Sequence, residues 1–477
     1  NRKRIYMIKN YRWKELGLFI IPFIILLLIM FQLPLAQYYE TQLQANSQHQ
    51  IPLTLSILPT IHDLIPILGL IIALFAVNVI TSFFFPKIDQ VLLPLVGLMS
   101  GIGVMMATRL GPDVGDPNLG TRQLAWVLIG LVALLFTLFG LRKMGWLRNY
   151  KYVWAALGII LVAITLVHAL RVKNFNSPTH DQLNFGPLSL QPSELLKIII
   201  VIFFAAYLDE TTRDVFADTS RRFGPIPIPP PDKLGVMGLM LGISLVLFLG
   251  IRELGLALLI YGIFLTMLYL GSGRISYVVI GLIVFFVLGF IAYKLFGYVQ
   301  ARFITVSIDV VNWQNWTPDI TAIATGNSTL ASGRQVIEGL IALANGGILG
   351  SGIGLGHAGE FGIVVQSDMI FTALGEELGL AGLFAIIGLY ILIIYRGYRI
   401  AVEATSDFSQ LLAAGLTSIF AIQALVIIAG NMKFLPLTGI PLPFLSYGGS
   451  SVIANYIIIG ILLRISHNTA VEREGLG

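Results

Sequence analysis

The sequence predicts an all-α protein that crosses a membrane many times. Of its 477 residues, 56% are hydrophobic and only 12% are charged, whereas soluble globular proteins have about 25% charged residues. The mean hydropathy is +0.85. Apolar runs of about 20 residues, the length that spans a bilayer as a helix, recur along the chain. Together these observations predict a polytopic membrane protein.

Twelve apolar runs predict about twelve transmembrane helices. The first is long enough to span and lacks a small-residue cleavage site, so we expect a retained helix rather than a signal peptide. One helix over residues 235–271 would be about 55 Å long, so two helices joined by a hairpin at Arg252 and Glu253 are expected there. The runs lie near residues 16–36, 64–85, 90–108, 124–141, 153–170, 193–208, 235–250, 254–271, 276–297, 369–395, 411–431 and 449–465.

The distribution of basic residues predicts the orientation of the chain. With the N-terminus inside, twelve helices place 20 of the 30 Lys and Arg residues on the cytoplasmic side and 9 on the outer side. Cytoplasmic segments of membrane proteins carry the excess of these residues. Both termini are therefore predicted to be cytoplasmic, and the long polar segment of about residues 298–368 is predicted to be an extracellular loop.

The cysteine count and the net charge exclude several kinds of function. The chain has no cysteine, so it forms no disulfide, no thiol nucleophile and no cysteine metal site. Its formal net charge is +5, but basic residues in a membrane protein mainly set its orientation. No nucleic-acid partner is therefore predicted.

Asp368 stands where the extracellular loop meets the predicted helix of residues 369–395. A carboxylate beside an apolar run is partly removed from water, which raises its pKa toward the range in which a general base works well. The alternative is that Asp368 caps the helix that begins at Met369, a common use of Asp. Sequence position alone leaves both interpretations open.

Two further carboxylates lie inside the same predicted helix. Glu376 comes eight residues after Asp368, and so on roughly the same helix face, with Glu377 beside it. Ionisable side chains at this depth normally face a polar cavity or a partner. Pairing with an Arg or Lys of a neighbouring helix is the alternative to a role in substrate binding.

A charged pair is predicted at the start of another helix. Residues 191–197 favour a helix start with Ser193 as the N-cap and Glu194 in the first turn. Lys197 falls three residues after Glu194 on the same face, so an internal ion pair and a site for a polyanionic head group are both open. Arg252 and Glu253 allow the same two interpretations.

Three segments are expected not to form helices. Residues 346–356 are rich in glycine but follow no strand, so they predict a flexible or re-entrant backbone rather than a dinucleotide site. Three prolines in residues 434–444 break a helix at membrane depth, where such backbone lines a cavity or is buried in protein. On the inner side, a proline run in residues 209–233 predicts an extended linker.

Four motifs follow one another along the chain, namely Gln191-Pro192-Ser193-Glu194, the loop from Gln335 to Gly356, the stretch from Ser367 to Gly379, and the stretch from Leu435 to Ser451. In this order they resemble the motifs of the SEDS family of RodA, FtsW and SpoVE proteins. The resemblance covers about residues 88–465, so ten of the predicted helices match the ten-helix core of the family. Residues 88–477 are therefore expected to form that membrane domain, and residues 1–87, with two more helices, have no counterpart in the core.

The resemblance implies a peptidoglycan glycosyltransferase that polymerises lipid II at the outer face of the bacterial cytoplasmic membrane, working with a class B penicillin-binding transpeptidase. The catalytic Asp of the family matches Asp368, which makes this residue the expected general base. Glu194 and Lys197 match polar family positions that face a central cavity, and Glu253 stands where many members carry Asp. Just before Asp368, residues 362–367 depart from the family's usual Leu-Pro-Glu followed by Thr.

A lipid-linked pyrophosphate leaves as a stable anion, so one base would suffice for this reaction. Help for the leaving charge is expected from Lys197, Arg252, Arg302 or a divalent cation such as Mg²⁺ or Mn²⁺. The outer side has no dense carboxylate cluster, so we expect a metal held partly by pyrophosphate, and no organic cofactor. The candidate substrate-binding residues are Glu194, Lys197, Arg252, Glu253, Arg302 and Glu376.

Two other functions stay open on the sequence. A flippase or transporter of a lipid-linked precursor would also use intramembrane charges and broken helices. A non-catalytic scaffold of a cell-wall synthesis complex would account for the two additional helices and the proline-rich inner segment. Glycan made by the purified protein in detergent would separate the polymerase from both.

Overall fold

The protein is a bundle of long helices. The computed structural model describes residues 12–44, 61–142, 144–171, 183–185, 188–215, 222–223, 226–227, 238, 242–243, 253–307, 331–357 and 365–475. In chain order the elements are α1 Trp13–Gln44, α2 Ile61–Phe84, α3 Leu92–Leu110, α4 Leu119–Gly140, α5 Gly145–Asn149, α6 Lys151–Arg171, β1 Leu183–Phe185, β2 Leu188–Leu190, α7 Pro192–Val215, β3 Arg222–Phe223, β4 Ile226–Pro227, α8 Leu254–Ser272, α9 Ile275–Leu295, α10 Gly297–Ser307, α11 Ala331–Gly346, α12 Ile370–Glu403, α13 Asp407–Asn431 and α14 Gly449–Gly475.

The prediction of a polytopic helical membrane protein is confirmed. Within the described residues, nine helices are long and apolar enough to cross a membrane, namely α1 to α4, α8, α9 and α12 to α14. The predicted runs at 153–170 and 193–208 correspond to α6 and α7. The run at 235–250 lies almost entirely outside the described residues. The lengths of the apolar runs therefore located these helices, although α1, α12 and α14 extend 8, 8 and 10 residues beyond the predicted ends.

The helices share one core. Buried apolar residues from α1 to α4, α7, α8 and α11 to α14 form a single cluster. Of the candidate spans, α3, α13 and α14 are the most buried, whereas α9 is mostly exposed and turns large apolar side chains outward. Such a gradient is expected of a membrane bundle, because outward-facing side chains meet lipid rather than water.

Several sequence predictions were wrong in detail. α7 begins at Pro192 rather than after a Ser193 cap, because Pro suits the first helical position, where its missing N–H needs no partner. α7 also continues to Val215, into the predicted linker. The predicted extracellular loop contains two helices, α10 and α11. The all-α prediction missed two short antiparallel hairpins, β1 with β2 and β3 with β4.

The glycine-rich loop, residues 346–356, packs into a break in α12. Gly379 interrupts the helix with φ +67° and ψ −174°. The amides of Ser351 and Gly352 donate to the carbonyls of Glu376 and Glu377 at 2.9 and 3.1 Å, and Ala381 N donates to Ile348 O at 3.1 Å. The loop thus supplies hydrogen bonds that the broken helix lacks, as a buried membrane segment requires. The expectation that this segment does not form a helix is confirmed.

Gly379→Ala is expected to destabilise the protein by at least about 2 kcal/mol, because its left-handed φ disfavours an L side chain. An added Cβ would also lie 2.3 Å from Gly350 N and 2.5 Å from Ile348 O. Gly388 lies in the same helix, and within the described part of the chain no atom comes within 4 Å of its Cβ position, so Gly388→Ala is expected to preserve or raise stability. Thermal unfolding in detergent compares the two; equal effects of the two substitutions would contradict the assigned break.

The proline segment, residues 432–448, joins α13 to α14 without forming a helix. Lys433, Gly439 and Phe444 all have positive φ values, between 65° and 71°. The hydroxyl of buried Ser446 accepts from Leu442 N at 2.8 Å, and Tyr390 donates to Pro443 O at 2.5 Å. The expectation of non-helical backbone buried in protein is therefore confirmed.

Candidate active site

Asp368 lies in a turn that ends where α12 begins. The N-cap of α12 is Met369, which forms no side-chain cap. The interpretation of Asp368 as the helix cap is therefore wrong, and its carboxylate is available for another role.

The proline segment and α13 hold the backbone of this turn. Ser446 Oγ donates to Ser367 O at 2.5 Å, and Tyr447 N donates to Gln366 O at 2.8 Å. The amide of Asn431, at the end of α13, donates to Asp368 O at 2.8 Å. Because Asn431 is fully buried, the position of Asp368 is fixed by the packed interior rather than by solvent-exposed contacts.

The Asp368 side chain is only partly accessible and lies beside Gly439. A Cβ added to Gly439 would be 3.7 Å from Asp368 Oδ2. Burial raises the pKa of Asp368 from 3.8 to about 6, while a hydrogen bond with Ser367 and the charge of Arg302 act in the opposite direction. A carboxylate with this pKa is ionised at neutral pH and is a better proton acceptor than an ordinary Asp.

Arg302 and the start of α8 lie against the same part of the proline segment. Arg302, on α10, donates to Leu437 O at 3.2 Å and to Thr438 O at 3.5 Å. At the start of α8, a Cβ on Gly255 would lie 2.6 Å from Thr438 O, and the residue that precedes this helix is buried Glu253. The fold therefore brings Arg302, and the helix start that follows Glu253, to the segment beside Asp368.

Glu194 and Lys197 form an ion pair in the interior. Their Nζ–Oε2 distance is 2.6 Å, and the two side chains are 6% and 0% exposed. Lys197 also donates to Gln423 Oε1 at 3.0 Å, and Gln423 Nε2 donates to Pro441 O at 2.7 Å. The predicted ion pair is present, and it supports the proline segment from the side of α7 and α13.

Glu376 and Glu377 lie where the glycine-rich loop meets α12. Glu377 pairs with Arg109 of α3 at 3.1 Å and accepts from Gly354 N at 3.1 Å. Glu376 is 1% exposed and accepts from Asn345 at 3.5 Å, whereas its Oε2 atom has no hydrogen-bond partner in the described part of the chain. The alternative of pairing with a basic residue of a neighbouring helix thus holds for Glu377, whereas Glu376 forms no such pair with a described residue.

The last predicted site residue, Arg252, lies outside the described residues. Sequence reasoning missed Asn431, Arg109 and Thr438. The Thr438 hydroxyl is buried and has no hydrogen-bond partner among the described residues. Of these three residues, Arg109 alone could have been found from the local sequence, because a charge at the end of a predicted span needs a partner.

The chain is similar to known cell-wall proteins over most of its length. The family model described as cell cycle protein, for FtsW, RodA and SpoVE, matches residues 88–471. The peptidoglycan glycosyltransferase RodA of Mycobacterium tuberculosis is 34% identical over 391 residues, which cover 80% of this chain and 79% of the relative. This similarity confirms the predicted glycosyltransferase class.

Solved structures show the same fold. A chain of a peptidoglycan synthase complex that coordinates polymerisation and crosslinking has a TM-score of 0.57 at 22% identity, covering 80% of this chain and 98% of that chain. The rod shape determining protein RodA of Thermus thermophilus has a TM-score of 0.53 at 22% identity, covering 80% and 97%. The chain belongs to the family of FtsW, RodA and SpoVE proteins.

Proposed function

We propose that the chain polymerises lipid II into glycan strands at the outer face of the bacterial cytoplasmic membrane, with Asp368 as the general base. One observation carries the assignment of the base: a partly accessible carboxylate whose pKa is raised to about 6 lies within the influence of the Arg302 charge. A base and a cation beside one another suit a reaction that removes a proton and releases an anion.

The proposed orientation rests on the charge distribution. Twelve transmembrane helices, ten of them in a core that begins near residue 88, put both termini in the cytoplasm and Asp368 outside. The described helices lie where the apolar runs predict them. The excess of Lys and Arg on the side of the membrane that holds the N-terminus supports this orientation. Lipid-linked substrate would reach Asp368 from the outer leaflet.

In the proposed reaction, Asp368 removes the proton from the 4-hydroxyl of the acceptor sugar. The freed oxygen attacks the anomeric carbon of the growing chain, and the bond from that carbon to pyrophosphate breaks with inversion. Pyrophosphate carries away the electron pair as a stable anion, so no second carboxylate is needed as an acid. Asp368 ends the step protonated and releases the proton to solvent.

Arg302 is proposed to stabilise the departing pyrophosphate, with Glu253 and Arg252 as further substrate-binding residues. Arg302 is only half-buried, so its guanidinium can reach a ligand. Lys197 and Glu194 lie deeper, as an ion pair, and Glu376 lies at the glycine-rich loop. Their proposed contribution is to hold the walls of the site.

Mg²⁺ or Mn²⁺ is proposed only as a companion of the substrate. No group of three or more His, Asp or Glu side chains within the described ranges could hold a metal ion by itself. Pyrophosphate oxygens would therefore supply most of the ligands. A class B penicillin-binding protein is the proposed partner, because crosslinking must follow polymerisation; the complex whose chain shares this fold combines the two activities.

The purified full chain in detergent, incubated with lipid II, is the direct test. In detergent no membrane separates two compartments. A polymerase still makes glycan strands under these conditions, whereas a flippase forms no new product. Adding a class B penicillin-binding protein then measures the effect of the partner on the rate. Absence of polymer with and without the partner would contradict the proposed function.

The polymerisation rate is expected to depend on ionisation of Asp368. Because the base must be deprotonated, the rate should fall about tenfold per pH unit below pH 6 and level off above it. The burial that raises the pKa to about 6 sets this midpoint. Rates from pH 4.5 to 8, with thermal unfolding recorded at each pH, provide the measurement. A rate that stays constant down to pH 4.5 would exclude Asp368 as the base.

A further inference from the structure

α1 and α2 precede the family match, which begins at residue 88, yet α1 packs closely against the matched part. A Cβ added to Gly101 of α3 would lie 2.2 Å from Leu26 Cδ1, so the missing side chain lets α1 approach α3. Phe19, Leu26 and Met30 of α1 are almost completely buried. α1 is therefore an integral part of the bundle and not a loosely attached anchor.

Polar contacts fix the first turn of α1. Arg12 pairs with Glu15 at 2.7 Å and donates to Thr81 Oγ1 at 3.1 Å and to Asp89 O at 3.0 Å. Asn78 of α2 donates to Glu15 at 2.9 Å. Because these side chains are buried, their hydrogen bonds to one another and to the residues around them favour one position of α1 along its axis.

The second half of α1 contacts the glycine-rich loop. A Cβ added to Gly354 would lie 2.9 Å from the Cβ of Ala36 and 3.2 Å from Leu33 Cδ2. Leu33 and Ala36 are each 6% exposed. The loop backbone is thus in direct contact with the side chains of Ala36 and Leu33 of α1, at a distance that only glycine permits.

The opposite side of the same loop is bound by polar groups. Gly354 N donates to Glu377 Oε2 at 3.1 Å, and Arg109 joins Glu377, at 3.1 Å, to Gly356 O, at 2.6 Å. The loop is therefore held between α1 on one side and α3 and α12 on the other. Asp368 immediately precedes the first turns of that same α12.

We infer that α1 positions the glycine-rich loop against the break in α12, and that Ala36, Leu33 and Gly354 are positioning residues for the transferase reaction. Displacing the loop would remove hydrogen bonds from Glu376 and Glu377, which lie two to three turns from Asp368. A shift of about 1 Å at a reacting group lowers rates by up to about 100-fold. The inference needs glycosyltransferase activity but does not depend on which residue is the base.

Exchanging the alanine at position 36 and the glycine at position 354 tests this contact. Gly354→Ala places a Cβ against Ala36, and we expect the polymerisation rate of the full chain to fall at least about tenfold. Ala36→Gly removes the opposing Cβ, so the double variant Gly354→Ala/Ala36→Gly is expected to recover most of that loss. Gly347→Ala is the control, because Gly347 also has a positive φ, +53° against +87° for Gly354, but no atom of the described residues lies within 4 Å of its Cβ position.

Hydrogen exchange of the loop provides a readout that is independent of activity. The amides of residues 350–356 should exchange faster in Gly354→Ala than in Gly347→Ala, and exchange should slow again in the double variant. Rescue of both rate and protection by Ala36→Gly supports the inference. A loss that Ala36→Gly leaves unchanged, or an equal loss in Gly347→Ala, would overturn it, since backbone strain alone would then account for the effect.

Discussion

Asp368→Asn is expected to abolish glycan polymerisation while leaving the protein folded. The substitution keeps the shape of the side chain but removes the proton acceptor, which for general base catalysis lowers a rate by about 100- to 10,000-fold. Neighbouring contacts of the turn, from Asn431 and Ser446, go to backbone carbonyls and do not need the carboxylate. Glycan formed from lipid II by the purified variant is the measurement, and a rate equal to that of the unsubstituted chain would refute the assignment.

Thermal stability distinguishes a loss of catalysis from a loss of folding in the Asp368→Asn variant. Burial raises the pKa of Asp368 to about 6, so above that pH the ionised carboxylate is less favourable in the folded than in the unfolded chain. Asn carries no charge, so at pH 7.5 the variant should unfold at the same or a higher temperature. Asp116→Asn is the matched control, because Asp116 pairs with exposed Arg122, and its rate should stay near that of the original chain.

The helices could be predicted because a bilayer imposes a simple requirement on sequence. Each span needs about 20 apolar residues, and the runs at 64–85, 254–271 and 411–431 match α2, α8 and α13 closely. The missed helices α10 and α11 lie in the polar segment, where no such requirement applies. Their stability comes from packing against other elements, which local sequence does not reveal.

The break in α12 is a second feature that the sequence hides. Gly379 lies within a mostly apolar run, and most glycines in such runs stay helical, as Gly388 does here. Only the hydrogen bonds from Ser351 and Gly352, more than twenty residues earlier in the chain, show why the helix can open at this point. The non-helical backbone of the glycine-rich loop was predictable from its glycine content, but its position at the break in α12 was not.

The candidate site was predictable at one residue and not in its surroundings. Asp368 could be singled out because a carboxylate at a membrane boundary is unusual and because the motifs around it resemble a known family. Its supports come from far along the chain: Asn431 is 63 residues away, and Ser446 is 79 residues from its partner Ser367. Contacts over such separations depend on how helices pack, for which a single sequence carries no direct signal.

Lys197→Met is expected to destabilise the protein by about 3–5 kcal/mol, the usual effect of leaving one buried charge without its partner. Glu194 and Lys197 are 6% and 0% exposed, so water cannot replace the lost interaction, and Gln423 would lose a donor as well. Arg399→Met is the matched control, because the ion pair of Arg399 with Glu403 is exposed and such pairs contribute little. Thermal unfolding in detergent measures both.

The double variant Glu194→Gln/Lys197→Met decides between the two roles that the sequence left open for this pair. Removing both charges leaves neither group uncompensated, so the thermal stability should return close to that of the original chain. If the pair only supports the proline segment, polymerisation should return with it. If Lys197 instead neutralises the pyrophosphate of the substrate, the double variant should be stable but slow. Because Lys197 already binds both Glu194 and Gln423, we expect stability and rate to recover together.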